Sequence, residues 1–151
     1  MKKCFMVIGL FAMTFLSAHA QAAANFTGVW KLNLAKSDYG PIPHADAMTR
    51  TINHNDPSLQ ISTYQKGANG EATTELKYTT DGKPVENKGS KGSVKWDGDK
   101  LVVDSVISRN GAEITLHDVW SLSADGKTMT VNEHLVAPQG EFDTVQTFDK
   151  Q

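Results

Sequence analysis

The sequence predicts an all-β fold, an antiparallel up-and-down β-barrel of eight to ten strands. Three observations lead there. Asn-Gly or Asp-Gly pairs recur at 69–70, 81–82, 97–98, 110–111 and 125–126. Such pairs supply the positive φ that two-residue hairpin turns require. The segments between them alternate apolar and polar residues or are rich in β-formers, and no stretch sustains a helical period. With no helix to cover it, the apolar face of a long meander is hidden by curling the sheet onto itself. A two-sheet sandwich is the alternative, and it normally needs longer crossovers than these turns provide.

The elements follow in order. Residues 1–20 read as a secretory signal peptide. Lys2 and Lys3 are the charged start, Phe5 to Leu16 is the apolar run, and Ala18-His19-Ala20 is the small-x-small cleavage site. Cleavage is expected after Ala20, with Ala22 as the second choice, giving a periplasmic or secreted protein. The apolar run is too short to span a membrane, and no later segment is apolar enough to do so. Residues 21–151 are long enough for one domain with a sizeable core. Removing the signal removes Cys4, the only cysteine, so no disulfide is expected. It also takes two of the 15 basic residues, leaving 13 against 17 acidic ones and a formal charge of −4. The remaining basic residues are scattered, which argues against nucleic acid as a partner. A monomer or weak dimer is expected.

Ten strands are predicted, at 26–34, 47–54, 58–66, 71–80, 83–88, 93–96, 100–109, 112–123, 127–136 and 140–149. The one long connection, 35–46, contains Pro41 and Pro43 and reads as a loop or short irregular lid. Two-residue turns fix the register. Leu122 then faces Met129, Trp120 faces Val131 and Asp118 faces Glu133. Ile107 faces Ile114, Ser105 faces Leu116 and Leu101 faces Trp120. A turn at Asn69-Gly70 sets Thr63 against Leu76, Ile61 against Tyr78 and Gln65 against Thr74. A turn at Asp81-Gly82 sets Tyr78 against Val85. Side chains alternate faces, and these registers gather Phe26, Trp30, Leu32, Ile52, Leu59, Ile61, Tyr78, Trp96, Leu101, Trp120, Met129, Phe142 and Phe148 on one face.

Phe26-Thr27-Gly28-Val29-Trp30-Lys31-Leu32 resembles the Gly-x-Trp opening strand of the calycins: lipocalins, fatty-acid-binding proteins and avidins. The stretch Asp99-Lys100-Leu101-Val102-Val103 and the closing Thr147-Phe148-Asp149-Lys150 are similar to the fatty-acid-binding branch. In outline the mature chain resembles small bacterial secreted lipocalin-like proteins. The resemblance implies a barrel whose closed end is plugged by Trp30. Two departures matter. The fatty-acid binders carry two helices where 35–46 is too short for them. Their last strand offers Arg-x-Tyr to a carboxylate, whereas this chain reads Gln146-Thr147-Phe148, and Gln146 supplies no positive charge.

The informative residues are polar ones at inward positions. Arg50, between Met48 and Ile52, sits opposite Thr63 if Asn55-Asp56-Pro57-Ser58 makes a four-residue turn. Asp118 sits opposite Glu133, with Thr144 next in the row, and Asn87, Ser105 and Gln146 complete the set. Two facing carboxylates on an apolar surface share a proton or hold a cation between them, and Arg50 or Arg109 could be that cation. On the outer face Asp104, His117 and His134 form a row. It could hold a transition metal, but an outward row lacks a shell to orient its ligands, so it reads as solvated surface. Ser105 points away from His117, which argues against a Ser-His-Asp hydrolase. No Gly-rich phosphate loop occurs, and no cofactor or metal is expected.

The leading expectation is a binding barrel for a small apolar or amphipathic ligand. The ligand would enter at the end carrying 35–46 and the turns near 69, 90, 110 and 138. Its site would comprise Arg50, Thr63, Tyr78, Trp96, Asp118, Trp120, Glu133, Phe142 and Gln146. Two alternatives stand beside it. One is a barrel enzyme of cyclase or isomerase type using Asp118 and Glu133. The other is a side-chain-filled barrel acting through an outer patch around Val102, Val119 and Val136.

Overall fold

The computed structural model describes residues 24–109 and 111–151. The expected signal peptide at 1–20, the side chain of Arg109 and residue Asn110 lie outside the described residues. Ten strands form a single antiparallel sheet. They are β1 Gly28–Leu32, β2 Ala47–Asn55, β3 Ser58–Gly67, β4 Gly70–Thr79, β5 Val85–Asn87, β6 Ser90–Asp97, β7 Lys100–Arg109, β8 Ala112–Leu122, β9 Thr128–Ala137 and β10 Gly140–Lys150. A 3-10 turn, Leu34–Lys36, is the only helical element among the described residues.

The strand order is β4-β3-β2-β1-β10-β9-β8-β7-β6-β5, so consecutive strands are neighbours except β4 and β5, which form the two edges. The first and last strands meet through Trp30 opposite Lys150 and Leu32 opposite Phe148. The sheet therefore curls into an up-and-down barrel with one seam, between β4 and β5. That seam carries no strand ladder. The Asn87 side chain bridges it: the Lys77 N–H donates to Asn87 Oδ1 at 2.8 Å, and Asn87 Nδ2 donates to the Lys77 carbonyl at 3.1 Å. A side-chain amide carries the same donor and acceptor as a backbone peptide, so one Asn replaces one step of a ladder.

The observed registers agree with the predicted ones around 110–111 and 125–126: Asp118 pairs with Glu133, Trp120 with Val131 and Leu101 with Trp120. Arg50 pairs with Thr63 as expected. Two expectations are corrected. At the β3–β4 hairpin Gly67 pairs with Gly70, so the turn residues are Ala68-Asn69. Moving a turn centre by one residue shifts every pair by two. Thr63 therefore faces Thr74, Ile61 faces Leu76 and Gln65 faces Ala72, each side chain keeping its face. Asp81-Gly82 makes no β4–β5 hairpin, so Tyr78 and Val85 are not strand partners. Instead Asp81 bridges to Lys95, and the Gly82 N–H donates to the Val94 carbonyl at 2.8 Å.

Phe26, Trp30, Ile52, Leu59, Leu101, Met129, Val131 and Phe148 form the core. At the closed end Phe26 lies 6.2 Å from Trp120 and 6.3 Å from Trp96, ring centre to ring centre. Trp30 Nε1 donates to the Phe26 carbonyl at 2.8 Å, which satisfies the indole of the plugging residue. The valines at 102, 119 and 136 do not make a continuous exposed patch, because Val102 is buried and Val119 half-buried.

Candidate functional site

The interior is not filled. A cavity of about 460 Å³ runs from buried Trp120 and Asp118 to exposed Gln65, Lys88 and Ser108. It opens at the end formed by the β3–β4, β5–β6 and β7–β8 turns. Alternation along β2, β3, β4, β7 and β8 places its lining. Ile61, Leu76, Val103, Ile107 and Leu116 supply apolar wall, and Thr63, Thr74 and Ser105 supply hydroxyls. Polar and apolar lining residues are nearly equal in number, so the wall suits an amphipathic occupant better than a bare hydrocarbon.

Six of the nine expected site residues line this cavity: Arg50, Thr63, Tyr78, Asp118, Trp120 and Glu133. Three do not. Trp96 belongs to the closed end, where its Nε1 donates to Asp56 Oδ1 at 2.9 Å. Phe142 is half-buried against Gly140 near the β9–β10 turn. Gln146 is buried behind Arg50 and accepts from Arg50 Nη2 at 3.3 Å. It acts on the site by holding the guanidinium.

Arg50 is the centre of the arrangement. Its Cζ lies 5.1 Å from the Trp120 ring centre and 4.8 Å from that of Phe148. Two aromatic faces, one from β8 and one from β10, thus hold the guanidinium. Arg50 Nη1 is buried and has no hydrogen-bond partner. No ion pair joins Arg50 to either carboxylate among the described residues, yet Asp118 is the strongest charge acting on it, followed by Glu133.

Burial pushes the Asp118 carboxyl up to about 7, the Glu133 charge adds to that push, and Arg50 opposes it. Asp118 Oδ1 is buried without a partner, while Oδ2 accepts weakly from Trp120 Nε1 at 3.4 Å. Burial also raises Glu133, against the Arg50 charge and a hydrogen bond from Thr144 Oγ1 at 3.3 Å. Two like charges in one desolvated site cannot both ionise cheaply, and here Asp118 is the one held near neutrality.

Sequence reasoning missed Tyr39. The connection between β1 and β2 is not a free lid. Asn33 accepts from the Lys36 N–H at 3.2 Å, and its amide donates to Asp149 Oδ2 at 2.6 Å. Beyond the 3-10 turn the chain rejoins β10, with Asp38 and Val145 exchanging two 2.7 Å backbone bonds. Directly opposed residues share a face. Exposed Asp38 and Val145 therefore send Tyr39 inward, beside Thr144 and the Asp118–Glu133 row. The Tyr39 hydroxyl is buried without a partner, and its ring stacks on His44 at 4.8 Å. Burial raises its pKa, and it feels the charges of Arg50 and Glu133. The signal lay in a lone aromatic two residues before Pro41, inside a segment without strand alternation.

On the outer face, His117 Nδ1 lies 2.6 Å from Asp104 Oδ1 and His134 Nδ1 lies 2.8 Å from Asp143 Oδ1. Each histidine is thus engaged by the carboxylate on its far side. Among the described residues no group of three or more His, Cys, Asp or Glu side chains is placed to hold a metal ion. Ser105 lines the cavity while His117 faces out, which separates a candidate nucleophile from its base.

No protein-family model matches the chain, and no curated protein matches it. Solved structures do. A fatty acid transporter superposes with a TM-score of 0.59 at 16% identity, covering 85% of this chain and 98% of that one. Zebrafish ileal bile acid-binding protein complexed with cholic acid gives 0.56 at 21%, covering 83% and 98%. A secretory abundant heat-soluble protein from Ramazzottius varieornatus gives 0.57 at 9%, covering 87% and 98%. What they share with this chain is the fold, an antiparallel up-and-down β-barrel of ten strands. At these identities the likeness is one of fold, and the function is argued from the cavity.

Proposed function

We propose that this protein is a periplasmic or secreted binding protein that holds one small amphipathic ligand inside its barrel. The observation that carries this reading is the open cavity of about 460 Å³, whose apolar wall of Ile61, Leu76, Val103 and Leu116 also carries the ionisable residues Arg50, Asp118 and Glu133. Pockets for small molecules are mostly concave and apolar with a few polar groups that orient the occupant, and this lining has that make-up. Two proteins of the same architecture are a fatty acid transporter and a bile acid-binding protein complexed with cholic acid, which supports an interior site. Export follows from the N-terminal residues read above as a signal peptide.

The test is to express the chain with its own N-terminal segment, purify it from the exported fraction and record a native mass spectrum. The expected result is a chain beginning near residue 21 that carries a reproducible extra mass, released on denaturation and lost in Arg50→Ala. Absence of the protein from the exported fraction would contradict export, and an intact N-terminus in that fraction would contradict cleavage. A folded protein that carries no added mass, and acquires none from a lipid extract of the same cells, would contradict the binding reading.

A second reading draws on one observation. A carboxyl held near pH 7 beside a second carboxyl in a cavity is the arrangement general acid–base chemistry uses. Conversion of the captured molecule on incubation, abolished by Asp118→Asn, would move the assignment to an enzyme. An unchanged captured mass keeps it with binding.

A further inference from the structure

The charges that line the cavity constrain the charge of its occupant; this step rests on the binding reading above. Lys88 is exposed at the mouth, while Arg50, Asp118 and Glu133 line the inner end with buried Trp120. Asp118 and Glu133 are direct cross-strand partners on β8 and β9, so both carboxyls enter the barrel at one level. With both ionised, the inner end holds two negative charges against one positive.

The protein does not cancel that surplus itself. Among the described residues Arg50 forms no ion pair with either carboxylate, and the Trp120 and Phe148 faces and the Gln146 oxygen engage its guanidinium. Asp118 is 7% exposed, and its Oδ1 has no hydrogen-bond partner. Glu133 is half-buried, and a neutral donor, Thr144 Oγ1, reaches it at 3.3 Å. The other titratable groups that act on these three are Tyr39 on the β1–β2 connection, Tyr78 on β4, and His117, which faces outward. Arg50 is thus the one cation among the residues lining the inner end.

Charges in a partly desolvated site act over several ångströms, without hydrogen-bond contact. A cationic head group beside Glu133 meets net attraction and lets both carboxyls stay ionised. A carboxylate adds a third negative charge, and a neutral group gains nothing from the surplus. Arg50 keeps a role in this arrangement. Its charge lowers both carboxyls against the push of burial, so without it the pair takes up protons and the surplus falls. Apolar contact for the rest of the molecule comes from Ile61, Leu76, Ile107 and Leu116.

We propose that the cavity takes a cationic amphiphile, its positive head group beside Glu133 and Asp118 at the inner end and its apolar body toward the mouth.

The experiment is competitive displacement of Nile red from the purified protein by dodecyltrimethylammonium, dodecanol and laurate, each below its micellar concentration. These carry similar chains and differ in head-group charge, and the quaternary ammonium keeps its charge at every pH. At about pH 8 Asp118 is largely ionised. There the cation is expected to displace the dye at a concentration at least about tenfold lower than laurate and about threefold lower than dodecanol. Glu133→Gln and Asp118→Asn each remove one carboxyl and keep its shape. Each is expected to cut the cation's advantage over laurate by at least about fivefold. Both leave the acidic outer surface unaltered, so that loss assigns the preference to the interior. Lowering the pH from about 8 to about 6 is expected to weaken the cation in the unaltered protein and much less in Asp118→Asn. Laurate or dodecanol displacing as well as the cation from the unaltered protein, or an undiminished advantage in both variants, would overturn the inference and leave the binding reading intact. Nile red failing to bind at all would overturn both.

Discussion

Asp118 concentrates the electrostatic cost of the site in one residue. Its carboxyl sits near pH 7 in the folded protein, chiefly because burial disfavours the charged form. In the unfolded chain it ionises in the ordinary carboxylate range, about 4. The folded state therefore holds the proton more tightly, and the sign follows. Asp118's penalty is absent below the unfolded pKa, grows as pH rises through the interval between the two values, and is complete above the folded one. Asp118→Asn should raise stability at about pH 8 by on the order of 2–4 kcal/mol and flatten the loss between about pH 4 and pH 7, measured by urea unfolding across pH. Laurate should bind more tightly as pH falls from about 8 to about 6, because protonated Asp118 no longer repels it; binding titrations at both ends of that range check this. Two placements at this scale were legible in the sequence. The Asp118–Glu133 pairing followed from a two-residue turn, and the Arg50–Thr63 pairing from a four-residue one. The stacking of Arg50 between Trp120 and Phe148 was not legible. Alternation assigns a side chain to a face but does not say which distant strand it meets across the interior. Tyr39 was hidden for another reason: its direction is set by the Asp38–Val145 bridge, a long-range pair inside an irregular segment.

Among the elements, the β4–β5 seam is bridged by the Asn87 side chain where every other neighbour pair has a ladder. Asn87→Ala removes both of its bonds to Lys77. The expected result is a cost of about 1–2 kcal/mol, with amide exchange of Lys77 accelerated more than that of the β7–β8 ladder, as read by native-state hydrogen exchange. Gly92, on β6, marks a different constraint. A methyl there would come within 2.7 Å of the Asp104 carbonyl and 2.8 Å of Ser105 Cβ. Gly92→Ala should therefore force β6 from β7, costing about 1–3 kcal/mol in denaturant unfolding and shifting a cavity-lining serine. Most strands could be placed from the sequence because alternation runs up to a tight turn on either side. The β3–β4 register could not, since Ala68-Asn69 and Asn69-Gly70 compete for the same turn and only tertiary pairing chooses between them. The seam was equally hidden: Asp81-Gly82 resembles the other hairpin turns, but its backbone bonds go to β6 and not across to β5.

Over the whole molecule, the barrel divides into a filled half and an open half. Phe26, Trp96 and Trp120 close one end with aromatic contacts, Trp30 is hydrogen-bonded to the Phe26 carbonyl there, and the turns at the other end leave the cavity open. The division was only partly legible. Gly-x-Trp marked the plugged end, but whether large residues fill an interior depends on how their rotamers meet, which a list of inward positions does not fix. Trp96 and Phe142 show this: both were placed inward by alternation, and neither reaches the cavity wall. The central claim is that a small molecule is held within the open half. A titration of Nile red against the unaltered protein and against Ser105→Trp, which fills the cavity from its β7 wall, tests it most directly. The account predicts saturable binding at one dye per chain in the unaltered protein, lost in Ser105→Trp while the β-sheet circular dichroism persists. Equal binding by both would place the dye outside the barrel and contradict the account.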